Sequence, residues 1–255
     1  STGGLSLPDR DYYLDAKFAE KKAAYEAYVA QMLTMIGWDK PAENAKAVVA
    51  FETQLAEASW TRAERRDRDK TYNPMTLAQL QDLTPGFAWN RYLVGTELPQ
   101  IDRVVVTTNT AFPKFARIYA DTPLDTLKAW QAFKVADGAA PLLSKRFVDA
   151  SFAFRNKTLA GQPEQKPRWK RAVASVNDQL GEAVGRVYVA RYFPPDSKAK
   201  MVDLVGNIRG VLKARLETLD WMSPQTKAQA EDKLAQFTVK IGYPDKWRDY
   251  SKLVI

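Results

Sequence analysis

Residues 17–37 read KFAEKKAAYEAYVAQMLTMIG, and this stretch decides the fold class. Phe18, Tyr25, Tyr28, Val29, Met32, Leu33 and Ile36 recur at the spacing of one helix face. Gly37 follows as a stop, because glycine closes a last helical turn in the left-handed conformation at little cost. Four residues later Pro41 opens a second helix, at a position where its missing N–H is not needed. Val48, Phe51, Leu55 and Ala58 form its apolar stripe, and the mixed charges from Thr61 to Lys70 read as its solvated tail.

The same pattern continues outward. Thr76 caps a short helix through Leu83, and Thr84-Pro85 begins one carrying Phe87, Trp89, Tyr92 and Leu93. Ile101 to Thr107 is β-branched and is the best strand candidate. Thr122-Pro123 starts a helix with Leu124, Leu127, Trp130 and Phe133, and another is expected over 142–159. Pro167 opens a long helix to Tyr192. The next, from Asp196 to Leu219, carries Met201, Leu204, Val205, Ile208, Leu212 and Leu216. Ser223-Pro224 caps one ending near Gln236, Phe237 to Ile241 looks extended, and residues 242–245 make a turn. The expected fold is mainly α, a multi-helix, bundle-like domain with one or two short strands.

Composition removes whole classes of chemistry. The 255 residues include no histidine and no cysteine, so triads, Cys–His pairs and imidazole or thiolate zinc sites are ruled out for this chain alone. No apolar run is long enough to cross a bilayer. The chain begins Ser1-Thr2-Gly3-Gly4 and ends on the apolar Leu253-Val254-Ile255, which suggests that it continues or pairs with something else. Net charge is +8, and Lys145, Arg146, Arg155, Lys157, Lys166, Arg168, Lys170 and Arg171 cluster against only Asp149 and Glu164. With Phe147, Phe152, Phe154 and Trp169 interleaved, that run could form a stacking surface for an acidic partner. The plainer reading, and the preferred one, is apolar rings inside and a solvated basic face.

Other motifs carry less. Ser197-Lys198-Ala199-Lys200 matches the S-x-x-K of serine acyl-transferases, without the accompanying K-T-G or S-D-N. Gly181 with Gly185 and Gly206 with Gly210 space like G-x-x-x-G and are read as close helix packing in a bundle. Glu43, Glu52, Glu57 and Glu64 are read as surface solvation rather than acid–base groups. Asn156-Lys157-Thr158 is a glycosylation sequon, with meaning only in a eukaryotic secretory pathway.

A set of stretches in order resembles the neprilysin-like zinc metalloendopeptidases. They are residues 4–13 (GLSLPDRDYY), 58–62 (ASWTR), 71–76 (TYNPMT), 168–171 (RWKR), 185–189 (GRVYV), Tyr192-Phe193, 219–223 (LDWMS), Thr226-Lys227 with Ala230 and Lys233, and 241–245 (IGYPD). Ala172 stands where many relatives carry a cysteine, which suggests a bacterial member without that disulfide, and Pro74 replaces the usual Lys or similar residue before Met-Thr. In that family the H-E-x-x-H helix, the downstream glutamate ligand and the substrate-binding N-A-Y/F motif follow the segment matched by 241–245. No position here matches them, so no catalytic or metal residue is assigned and the substrate-binding residues stay unknown. The resemblance implies a helical outer (lid) domain over 1–237 and, over 238–255, the start of a crossover toward a catalytic domain absent from this chain. It implies enclosure of a peptide cavity that limits substrate size, with zinc and hydrolysis supplied by the C-terminal portion and no metal bound here. It further implies peptide substrates and an extracytoplasmic location, while the lack of a nucleic-acid motif and of a long apolar run leads to no nucleic acid and no membrane span being expected for this chain. A stand-alone basic module for an acidic partner is the alternative.

Overall fold

The computed structural model describes residues 4–98 and 101–254. Ser1 to Gly3 and Ile255, which figure in the reading of the chain ends, lie outside the described residues. The elements run α1 (Asp11–Leu14), α2 (Ala19–Met35), α3 (Pro41–Ala58), α4 (Arg68–Thr71), β1 (Pro74–Thr76), α5 (Leu77–Leu83), α6 (Trp89–Gly95), β2 (Arg103–Val105), α7 (Phe112–Asp121), α8 (Leu124–Ala139) and α9 (Lys145–Ser151). A π-helix (Phe152–Leu159) follows, then α10 (Arg168–Tyr192), α11 (Pro195–Thr218) and α12 (Pro224–Ala235). The fold is therefore mainly helical, with one two-stranded antiparallel sheet among the described residues. Contacts divide the chain into two compact units, residues 1–165 and 166–255.

The first unit is built on α2, which packs against α3 and α8. The expected face of α2 is buried: Tyr25, Tyr28, Val29, Met32 and Leu33. Opposite it lie Ala45, Val48, Phe51 and Leu55 of α3, and Ala129, Trp130 and Phe133 of α8. Aromatic rings fill the junction, with Tyr28 stacked on Phe154 and Phe51 edge-on to Trp130. Burying such rings is worth about 1.5–3 kcal/mol each before entropy is charged against it.

Local rules explain most boundaries. Gly37 takes φ +74, and Pro41 sits in the first turn of α3. Thr76 and Gln79 form a complete capping box at α5, each side chain bonding the other's backbone N–H. The strand expected over 101–107 is shorter, because only Pro74, Met75 and Thr76 are available to pair with Val105, Val104 and Arg103. Residues 84–88 form a turn, so α6 starts later than the Thr84-Pro85 signal predicts.

The single helix expected over 142–159 is really two kinds of helix. After α9 the chain widens to i→i+5 turns, and Thr158 Oγ1 donates to the carbonyl of Ala153 five residues back. The wider turn lets Phe154 stack on Tyr28 while Arg155 reaches Asp137 and the Ser6 carbonyl.

In the second unit α11 packs on α12, and Ser223 caps α12 through the Thr226 N–H. Phe237 to Ile241, expected to be extended, runs as irregular chain with no strand partner. The 242–245 turn is present. Gly242 has φ +68, and a Cβ there would lie 2.6 Å from the Phe193 ring, so only glycine fits. None of the residues of α10, α11 or α12 is fully buried.

Candidate functional site

The densest polar cluster lies inside the first unit, around a residue that the sequence reading placed on the surface. Glu52 is fully buried in the middle of the α3 stripe. Its Oε1 accepts from Ser6 Oγ at 2.7 Å and Trp130 Nε1 at 2.8 Å. Its Oε2 accepts from the Tyr13 hydroxyl at 2.5 Å and the Tyr25 hydroxyl at 2.9 Å, with the Ser6 N–H more distant at 3.4 Å. The solvation expected for Glu52 is thus wrong. The helix needed no surface charge there, and donors from three other segments replace water. A helical wheel carried the signal, since Glu52 follows Val48 by four residues and precedes Leu55 by three.

Burial and the Glu52 charge both raise the Tyr13 and Tyr25 phenols far above their usual range, so both remain protonated donors. All four side-chain donors and the carboxylate are committed to one another. The cluster is a fastening, without a free lone pair or an open approach for acid–base work.

Two ion-pair clusters pin the same N-terminal stretch. Asp9, 3% exposed, receives Arg62 Nε at 2.7 Å and Arg65 Nη2 at 2.8 Å. Burial alone would raise its pKa. The Arg62 hydrogen bond and the Arg65 charge outweigh that, and the carboxyl is held below its ordinary value. The tail over 61–70 is solvated as expected, with no residue buried, and two of its arginines reach in to serve the buried acid. Arg155 donates Nε and Nη2 to Asp137 and Nη1 to the Ser6 carbonyl, and Tyr28 donates its hydroxyl to Asp137 at 2.6 Å. Ser6 is thus held from two sides, through its side chain by Glu52 and through its carbonyl by Arg155.

The remaining predicted residues behave as structure. Glu43 and Glu57 are exposed, and Glu64 accepts from Thr61 N and Oγ1. Ser197 has no hydrogen bond to Lys200 among the described residues, whereas Lys198 ties α11 to the 242–245 turn through the Tyr243 carbonyl and Asp245. Close helix packing at Gly206 and Gly210 is also wrong. A Cβ at either would meet nothing within 4 Å, and both line an open groove of about 580 Å³ between α11 and α12. Gly185 is the tight one, 3.4 Å from the Trp247 ring. Asn156 is bonded to Gln162, and Thr158 to the Ala153 carbonyl, so the sequon side chains are occupied.

Most of the basic run is solvated as expected: Lys145, Arg146, Lys157, Lys166, Arg168 and Lys170 are exposed. Phe147 and Phe154 are buried as expected, but Arg155 points inward to Asp137, Lys145 pairs with Asp149, and Trp169 is exposed. Its members also fall in two different units, with the boundary after Gln165.

A second hollow in the first unit, of about 340 Å³, is lined by Leu80, Trp89, Val104, Phe112 and Phe115 with Thr108 at its edge. It offers no ionisable side chain. Among the described residues no group of three or more His, Cys, Asp or Glu is placed to hold a metal ion.

The comparisons give this helical scaffold a family. The family model described as Peptidase family M13 matches residues 1–244. The chain belongs to peptidase family M13, as part of its N-terminal region. Endothelin-converting enzyme-like 1 of Rattus norvegicus is 31% identical over 95% of this chain and 32% of its own length. Neprilysin-2 of Drosophila melanogaster is 28% identical over 96% of the chain and 34% of its own length. The inhibitor complex of the Mycobacterium tuberculosis zinc metalloprotease ZMP1 is 38% identical, with a TM-score of 0.82, covering 99% of this chain and 39% of that one. The chain thus spans about a third of the length of the curated relatives it matches. The resemblance motifs take structural posts: the buried Asp9 carboxylate pairs with the exposed Arg62, Asn73 Nδ2 bonds the Val106 carbonyl, and Gly242 packs under Phe193.

Proposed function

We infer that this chain is the helical lid portion of a neprilysin-like zinc endopeptidase, and that it walls a peptide-binding cavity and restricts substrates by size. On this reading residues 1–237 form the outer domain and 238–255 begin the crossover to the catalytic portion. The observation that carries it is the M13 match over residues 1–244 in a chain with no histidine or cysteine. Zinc prefers imidazole and thiolate donors, and this donor set does not fit it, so no chemical step is assigned to these residues. Their contribution is exclusion: a rigid wall admits flexible peptides and keeps folded proteins and bulk water out. The site of action is extracytoplasmic, in keeping with the family resemblance.

The test compares the full-length polypeptide with this chain alone, using peptides of increasing length and a folded protein containing the same cleavable sequence. Zinc-dependent cleavage confined to the full-length protein, and falling steeply with substrate size, is expected. Cleavage by the 255-residue chain, or equal cleavage of peptide and folded protein, refutes the reading.

A further inference from the structure

The long helix α10 carries an apolar seam that the described chain leaves open. Trp169, Val173, Val176, Leu180, Ala183 and Val187 alternate at four- and three-residue steps, the repeat by which one helix packs along another. Trp169, Val173, Val176 and Val187 are 65%, 51%, 46% and 66% exposed. The opposite side of the helix is already used: Trp247 lies against Gly185, and Glu182 accepts from the Arg248 N–H. An exposed stripe of this kind marks an interaction surface, because single apolar residues scatter but contiguous ones are covered.

Charge specifies the occupant further. The positions flanking the seam include Lys170, Arg186 and Arg191 and no acid, while the two acids of α10, Asp178 and Glu182, sit away from it. Flanking charges select partners of opposite sign. Leu180 departs from helical geometry (φ −120°, ψ 31°), so the seam runs over two helical pieces joined at a kink. The source of the occupant follows from length: relatives carry about two thirds of their sequence outside the region matched here.

We propose that the α10 seam is the seat of a helical segment from the remainder of the same polypeptide, apolar along one face and acidic on its flanks. The proposal rests on the lid reading for the existence of that remainder, and it adds where the two parts meet. A second copy of the chain is the competing occupant.

The chain's lack of cysteine makes the test direct. In the full-length protein, Val176→Cys and Ala174→Cys are introduced singly; Ala174 is exposed and lies off the seam. Maleimide labelling at Val176→Cys is expected to be at least tenfold slower than at Ala174→Cys, with the difference abolished in denaturant. Equal rates overturn the proposal. Protection that disappears on dilution, with a dimer in sedimentation, also overturns it in favour of self-association. Zinc-dependent peptide hydrolysis is measured on the same samples. Hydrolysis with free labelling sinks the seam alone, whereas protection without hydrolysis sinks the lid reading and leaves the seam standing.

Discussion

Replacing Glu52 tests whether the buried carboxylate organises the first unit. Glu52→Ala strands three buried side-chain donors, the Tyr13 and Tyr25 hydroxyls and the Trp130 indole N–H. Leaving a buried donor unpaired costs about 1–3 kcal/mol, so the sum ranges from roughly 3 to 9 kcal/mol. The lower half of that range applies, because hydroxyls rotate and Tyr13 still accepts from the Ser6 and Leu7 N–H groups. About 4–5 kcal/mol is expected, a large part of the 5–15 kcal/mol typical of a domain. Glu52→Gln keeps the shape and can keep both tyrosines on its carbonyl. Its amide then meets the Trp130 N–H, donor against donor, for about 2–3 kcal/mol.

That last step makes the prediction specific. Trp130→Phe removes the stranded donor, so its hydrogen-bond cost in the wild type should vanish in the Glu52→Gln background. The double-mutant cycle should show a coupling of about 1–2 kcal/mol. Urea unfolding at pH 7, followed by near-ultraviolet circular dichroism from the buried rings, measures each corner. Additivity within about 0.5 kcal/mol, or a Glu52→Ala variant as stable as the parent, would refute the hub.

Other consequences are read from single sites. Asp9 is held below its ordinary value of 3.8, so the stability it contributes is complete above about pH 4 and lost as pH falls through the lower folded value. Asp9→Asn should flatten that acid limb in a pH series of urea midpoints; an unchanged limb assigns it to other carboxyls. Tyr13 and Tyr25 are raised above the ordinary 10.0, so the unfolded chain releases their protons first and stability falls as pH climbs past about 10. Absorbance at the phenolate band should show these rings ionising only together with unfolding. Gly242→Ala puts a Cβ 2.6 Å from the Phe193 ring at φ +68 and should cost about 2–4 kcal/mol, whereas Gly37→Ala, at φ +74 with nothing within 4 Å, should cost only about 1 kcal/mol. Thermal melts of the two variants check the contrast, and equal losses would remove the role given to the Phe193 contact. Thr76→Ala breaks the α5 capping box and should cost about 0.5–2 kcal/mol in the same assay.

The sequence made the helices of the first unit legible because their apolar residues repeat locally. Tyr25, Tyr28, Val29, Met32 and Leu33 share a face whatever the rest of the chain does, and all five are buried. Caps and stops at Gly37, Pro41, Thr76 and Ser223 were legible for the same reason. The π-helix was not. Its wide turns go with Arg155 reaching Asp137 and Ser6, and partners 18 and 149 positions away leave no local signature. Within the basic run only Arg155 misleads in the same way, since its partner Asp137 is internal and 18 positions away.

Glu52 shows where polarity misleads and periodicity does not. Polarity assigns a glutamate to solvent, and its helical register assigns it to the core. Register prevails here because the chain supplies enough donors to replace water: Ser6 from 46 residues away, Tyr13 from 39, Tyr25 from 27 and Trp130 from 78. A buried carboxylate with this many neutral donors stabilises only one arrangement of the segments bearing them. The GLSLPDRDYY stretch, one of those that carry the family resemblance, thereby acquires a physical reason. Ser6 and Tyr13 bond Glu52, the Ser6 carbonyl takes Arg155, and Asp9 takes Arg62 and Arg65. The family motif at the start of the chain is a set of pins that fixes the segments of the first unit to one another.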